Sequence, residues 1–134
     1  MILFAAAFLM PAVKDSTPGV AMSSTYEGWW CAQFTLASAF GGIPISWMSP
    51  LIVLSGAVNP FVALYIAMGA RPGLRLARRA VAAAVLAGLA AAWVVLAFTH
   101  MTPLVGHYLW VTGALLIVSP EFSGFSAILR SKNF

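Results

Sequence analysis

The chain contains two histidines, His100 and His107, which lie close together in the sequence around a short predicted turn. Two imidazoles at similar depth could ligate haem or a metal ion. No third ligand accompanies them, and Tyr108 and Trp110 follow directly, as in the aromatic belts found where helices leave a membrane. The residues therefore favour two interfacial histidines without a metal or cofactor, and haem bound by His100 and His107 is the alternative.

Carboxylates are scarce, since Asp15, Glu27 and Glu121 are the three acidic residues of the chain. Catalysis needs several polar groups that converge on a substrate. The sequence has no glycine-rich phosphate loop, no nucleophile beside a base and no metal-ligand motif. We therefore expect no catalytic residue and no enzymatic activity.

The composition indicates a membrane protein. The chain has 134 residues, of which 62% are apolar and 7% are charged, and its mean hydropathy is +0.96. Ordinary soluble domains carry about 25% charged residues, and ten charged side chains cannot cover the surface of a soluble domain. The predicted fold is an all-α, polytopic transmembrane bundle of about four spans, built as a single membrane domain over residues 1–134.

Apolar runs predict three transmembrane helices, at 50–70, 80–99 and 103–118. The run at 1–13 is a short apolar first span or an interfacial segment. Residues 14–49 are predicted as a mostly extracytoplasmic loop with an interfacial helix over about 27–40, and residues 119–134 as a cytoplasmic interfacial tail.

Two alternatives remain open near the N-terminus. Residues 29–48 carry tryptophans at both ends and would cross the membrane in the alternative interpretation, although Gly41, Gly42 and Pro44 interrupt their second half. The biological start is Met1 or Met22.

Residues within the predicted spans suggest how the helices pack. Asn59-Pro60 lies near the middle of the first clear span, where Pro60 should kink the helix and the Asn59 amide needs a polar partner. Small residues recur at four-residue spacing along the next span, which predicts a helix-packing face: Ala80, Ala84, Gly88 and Ala92.

The basic residues indicate the orientation, because lysine and arginine beside spans mark the cytoplasmic side. The net charge is +4, and no base-reading platform accompanies it, so nucleic acid is not an expected partner. The predicted cytoplasmic charge anchors are Arg71, Arg75, Arg78, Arg79, Arg130 and Lys132. The predicted outer aromatic cluster comprises Trp29, Trp30, Trp47, Tyr108 and Trp110. These positions predict a multi-pass protein of the bacterial inner (plasma) membrane with a cytoplasmic C-terminus.

Several short motifs follow one another in a recognisable order: Gly28-Trp29, Phe40-Gly41, Trp47, Asn59-Pro60, an arginine-bearing loop and Gly106-His107-Tyr108-Leu109-Trp110. Over about residues 27–118 the chain resembles a loose group of uncharacterised small bacterial inner-membrane proteins. The resemblance implies four spans with the Gly-Trp segment outside the membrane, and it implies no activity. The chain departs from the group at its N-terminus, where the first apolar run is unusually short.

We therefore expect a small non-enzymatic protein that acts by binding a partner in the lipid bilayer, either another membrane protein or a second copy of itself. Two such roles are an accessory subunit of a membrane complex and an immunity-type inhibitor of a membrane-targeting toxin. One alternative is a haem-binding or electron-transfer subunit that uses His100 and His107. The other is a self-assembling pore, holin or small transporter, for which Asn59, Ser55 and Thr112 would be the main polar lining.

Overall fold

A computed structural model describes residues 1–16, 24–37, 47–69 and 71–122. Helices dominate this part of the chain, and short strands lie at one end of it. In chain order the elements are α1 (Ile2–Ala6), β1 (Pro11–Asp15), β2 (Thr25–Glu27), α2 (Gly28–Ala37), α3 (Ser49–Gly56), α4 (Val58–Met68), α5 (Arg75–Phe98), β3 (Met101–Pro103) and α6 (Val105–Val118).

The small sheet corrects the all-α expectation. Strand β1 lies between β2 and β3 and pairs with both in antiparallel fashion, so that Lys14 stands opposite Thr25 on one side and Thr102 on the other. A further backbone hydrogen bond joins the residue before α6 to β1: the amide of Leu104 donates to the carbonyl of Ala12 at 2.8 Å. The sheet uses backbone groups that the predicted loops would have left to water.

The N-terminal segment is not one continuous helix. Helix α1 has five residues and is followed by a 3-10 turn at Ala7–Leu9 and then by β1. Pro11 has no amide hydrogen, so it cannot continue a helix. The segment runs antiparallel to α6, because Phe4 approaches Gly113 and Pro11 approaches Gly106.

The first apolar helix is broken where the sequence predicts a kink. Ala57 separates α3 from α4, and Pro60 supplies no N–H for the carbonyl of Gly56. Together the two pieces span Ser49–Met68, which has 20 residues and an 18-residue window with a mean hydropathy of 2.0.

Helix α5 is the longest helix among the described residues, with 24 residues, and its most apolar 18-residue window has a mean hydropathy of 2.5. It begins at Arg75, so three of the arginines predicted in a loop lie on its first turns. Helix α6 is apolar but has 14 residues, which extend about 21 Å and fall short of the roughly 30 Å hydrocarbon core. Among the described residues, two helical stretches are therefore long and apolar enough to cross a membrane, where the sequence predicts three clear spans.

The core lies between α4, α5 and α6. Its fully buried side chains include Val58 and Val62 of α4, Val85 of α5 and Val118 of α6. Between the second and third predicted spans the structure has a turn at Thr99 and His100, followed by the short strand β3.

Several predictions concern residues outside those that the structure describes. They are the cytoplasmic tail beyond residue 122 with Arg130 and Lys132, the possible start at Met22, and Phe40, Gly41, Gly42 and Pro44 in the second half of 29–48.

Candidate functional site

A cavity of about 300 Å³ lies between the sheet and the helices. Every strand contributes to its wall. The helical parts of the wall are the 3-10 turn after α1, one face of α2, the facing turns of α3 and α4, the end of α5 and the start of α6. The lining is mostly apolar. An apolar wall with a few polar groups is the usual composition of a small-molecule site. The polar side chains in this wall are Asn59, His107, Cys31, Thr35, Ser55 and Thr99.

His107 enters the cavity wall from the first turn of α6. Its side chain is 7% exposed, and its Nε2 atom has no hydrogen-bond partner. The ring is held by aromatic neighbours, with Trp93 edge-on at 5.0 Å between centroids and Trp110 at 5.6 Å. The fold therefore buries a polar nitrogen against apolar walls without satisfying it.

His100 lies elsewhere. It is exposed in the turn after α5, where it adopts a left-handed backbone conformation with φ of 55°, and it does not line the cavity. The structure thus separates the two candidate haem ligands. Among the described residues no group of three histidine, cysteine or acidic side chains could hold a metal ion.

Asn59 has the polar partner that its depth requires. Its Oδ1 accepts a hydrogen bond of 2.8 Å from Trp110 Nε1 and so ties α4 to α6. Both residues line the cavity. Trp110, predicted in the outer aromatic cluster, therefore faces inward.

The hydroxyl groups in the cavity wall bond to their own helices. Thr35 Oγ1 donates to the Cys31 carbonyl at 2.9 Å, Ser55 Oγ to the Ile52 carbonyl at 2.8 Å, and Thr99 Oγ1 to the Val95 carbonyl at 2.8 Å. Such bonds let a hydroxyl occupy an apolar setting at little cost.

The other members of the predicted outer aromatic cluster contact different neighbours. Trp29 donates to the carboxylate of Glu27, and Trp47 packs edge-on against Phe98. Trp30 instead stands in a stack between Tyr26 and Phe34. Tyr108 is half exposed beside Trp93.

Arg78 differs from the other predicted charge anchors. Its Nη2 lies 2.6 Å from Glu121 Oε1 and donates to the hydroxyl of Tyr65 at 2.9 Å. Arg71 and Arg75 are exposed and Arg79 is half-buried. Arg78 therefore joins α4, α5 and the chain beyond α6. No sequence pattern pointed to Tyr65 or Glu121, because their partners are distant in the chain.

The predicted packing face of α5 is rotated from the face that the fold uses. Gly88 and Ala92 are buried, Ala84 is half-buried and Ala80 is exposed. The buried face consists of Ala82, Val85, Gly88, Leu89, Ala91, Ala92 and Leu96.

Cys31, the single cysteine, lies on α2 in the cavity wall, and burial raises its pKa from 9.0 to about 11. At pH 9 we expect about 1% thiolate in the folded protein and about half in the unfolded chain, so alkylation by N-ethylmaleimide should be roughly fiftyfold slower when folded. The rate should rise up to about pH 11, and stability should fall over the same interval because unfolding releases the proton. Mass spectrometry of the labelled protein measures the rate, and a plateau at pH 9 would contradict the burial of this thiol.

Comparison of the chain with protein-family models, with curated proteins and with solved structures gave no match.

Proposed function

We propose that this chain is a polytopic integral membrane protein that catalyses no reaction and acts by binding a transmembrane helix of another protein. The observation that carries the proposal is one outward face of α5. Exposed residues recur along it at alternating intervals of three and four positions, and nearly all are alanine: Ala80, Ala83, Ala87, Ala90, Val94 and Ala97.

This outer alanine face has the period of a helix–helix seam, because side chains that repeat every 3.5 residues stay on one side of a supercoiled helix. Small side chains let two backbones approach closely in lipid, where packing drives helix association. The chain's own core uses other residues of α5, such as Val85 and Leu89. The outer alanine face is therefore left available by the fold.

The membrane setting is supported by the two long apolar stretches, Ser49–Met68 and Arg75–Phe98. Arg71 and Arg75 are exposed at the start of α5, as expected of the cytoplasmic end of a span. We place the protein in a bacterial inner membrane, with this end and the C-terminus in the cytoplasm and the sheet outside.

The polar side chains within the predicted spans favour helix binding over a pore or transporter. A water-filled path needs polar side chains along it. Asn59 is bonded to Trp110 and Ser55 to its own helix, which leaves Thr112 as the exposed member of the three predicted lining residues. An accessory subunit and an immunity-type inhibitor both need only a partner-binding face.

The test is a pair of double substitutions in the full chain. Ala83→Leu with Ala87→Leu changes the outer alanine face, and Ala63→Leu with Ala67→Leu makes the same change at exposed positions of α4. Each protein is purified in mild detergent from the membranes in which it naturally occurs, and co-purifying proteins are quantified by mass spectrometry. We expect a stoichiometric foreign membrane protein with the wild type and the α4 control, and a loss of about tenfold with the α5 variant.

A partner retained equally by both variants would show that another surface binds it. Recovery of a homo-oligomer with no foreign protein would overturn the proposal and favour the self-assembling pore. Equal thermal unfolding of the two variants is the control for correct folding.

A further inference from the structure

We infer that the cavity beside His107 binds a neutral, ring-bearing lipophile whose ring carries a carbonyl or hydroxyl oxygen. This site is independent of the outer alanine face, since no residue of that face lines the cavity. Four properties of the cavity support the inference: its walls, its lack of charge, its unsatisfied nitrogen and its opening.

The walls suit a flat ring. Tyr26, Trp30, Phe34 and Trp110 all line the cavity, and the first three form a stack with centroid separations of 5.0 and 5.7 Å. Aromatic faces pack well against other rings. A volume of about 300 Å³ lies at the lower end of the range of small-molecule sites.

None of the described residues that line the cavity carries a charged side chain. A carboxylate or phosphate inside it would lose its water without gaining a counter-charge, which is strongly unfavourable. The charge of the lining therefore selects against fatty acids and phospholipid head groups and in favour of neutral molecules.

His107 supplies the polar recognition. Among buried side-chain nitrogen and oxygen atoms of the described residues, Arg78 Nε and His107 Nε2 have no hydrogen-bond partner, and of these two residues His107 lines the cavity. A neutral imidazole nitrogen either donates to a carbonyl or accepts from a hydroxyl, depending on the tautomer. Nε2 has less than 1 Å² of accessible surface, so a ligand oxygen in the cavity reaches it when the imidazole ring turns toward the cavity. The hydrogen bond then satisfies an atom that the fold leaves unpaired.

The cavity is accessible from one side. Trp30 and Phe34 line it and are 44% and 50% exposed, so it opens beside α2. A lipophile can enter there without unfolding the core, because the core residues of α5, Ala82, Val85 and Leu89, do not line the cavity.

The experiment compares two probes of the same shape, dimethylnaphthoquinone and dimethylnaphthalene, with the full chain in detergent. In the quinone, the methyl groups occupy the ring positions that the Cys31 thiol would otherwise attack. Binding is measured by calorimetry and by protection of Cys31 from N-ethylmaleimide. We expect the quinone to bind the wild type about tenfold more tightly than the hydrocarbon, because one hydrogen bond to a buried nitrogen distinguishes them.

Three variants locate the effect. His107→Phe should weaken quinone binding about tenfold, to the level of the hydrocarbon, and leave hydrocarbon binding nearly unchanged. His107→Gln keeps a hydrogen-bonding group and should keep part of the preference. Ala32→Trp fills the cavity from α2 and should abolish binding of both probes.

Equal binding of the two probes to the wild type, or no binding of either, would overturn the inference even if His107→Phe did not fold. A quinone preference that survives in folded His107→Phe would overturn it as well. Binding of both probes to folded Ala32→Trp would place them elsewhere. None of these outcomes involves the α5 variants, so failure here is distinguishable from failure of the proposed helix binding.

Discussion

Replacing Gly88 with valine is expected to lower the free energy of unfolding by about 3 kcal/mol. A Cβ atom at this position would lie 2.5 Å from Val58 Cγ2 and 2.8 Å from the carbonyl oxygen of Leu54. A methyl group can rotate away, but the carbonyl belongs to the backbone of α3. Helix α5 would therefore have to move away from α3 and α4, which would open the core around Val58 and Leu89.

The smaller substitution Gly88→Ala distinguishes the effect of packing from that of helix propensity, because the two predict stability changes of opposite sign. Alanine is about 1 kcal/mol more favourable than glycine in a helix, so propensity alone predicts that Gly88→Ala stabilises the protein. The contact with α3 predicts that it destabilises. Gly73→Ala is the control, since a Cβ atom there meets nothing within 4 Å and should change stability by less than about 0.5 kcal/mol. Thermal unfolding in detergent, followed by circular dichroism, measures all three, and a stabilised Gly88→Ala would refute the close contact of α5 with α3.

Replacing Asn59 with leucine is expected to cost about 2 kcal/mol. The change removes the acceptor of the 2.8 Å hydrogen bond from Trp110 Nε1 and leaves the indole N–H without a partner in a mostly apolar wall. Removing one member of a buried pair costs more than removing both, because the remaining polar group keeps its desolvation penalty.

The control for this prediction is the removal of both partners of the hydrogen bond. In a Trp110→Phe background the Asn59→Leu change should cost less by about 1 kcal/mol, within the range measured for hydrogen bonds between helices in membranes. Denaturant unfolding of the four proteins of this double-mutant cycle gives the coupling. Strictly additive costs would mean that the two side chains do not interact, and the tie between α4 and α6 would be lost.

Local features of the sequence predict the main helices well. The apolar runs at 50–70 and 80–99 correspond to Ser49–Met68 and Arg75–Phe98, since long apolar runs favour helices whose backbone bonds are made within the segment. Pro60 predicts the interruption at Ala57, because a proline lacks one backbone donor wherever it lies. The need of Asn59 for a partner follows from its depth alone, although its choice of Trp110 does not.

The sheet and the cavity could not be predicted in this way. Strands of three to five residues carry too few side chains for an alternating pattern, and their pairing joins Lys14 to Thr102 across most of the chain. The different environments of His100 and His107 depend on where α6 begins and on how β1 packs beside it.

By itself, the sequence determined that this chain is mostly helical and strongly apolar and that its first long helix is interrupted near Pro60, because hydropathy and backbone chemistry act locally. Only the tertiary structure decided which side of α5 is buried, that Arg78 pairs with Glu121 and that His107 is unsatisfied beside a cavity. A helix rich in alanine has no preferred face until larger neighbours such as Val58 and Val62 pack against it, and hydrogen-bond partners distant in the chain meet only when the helices have packed.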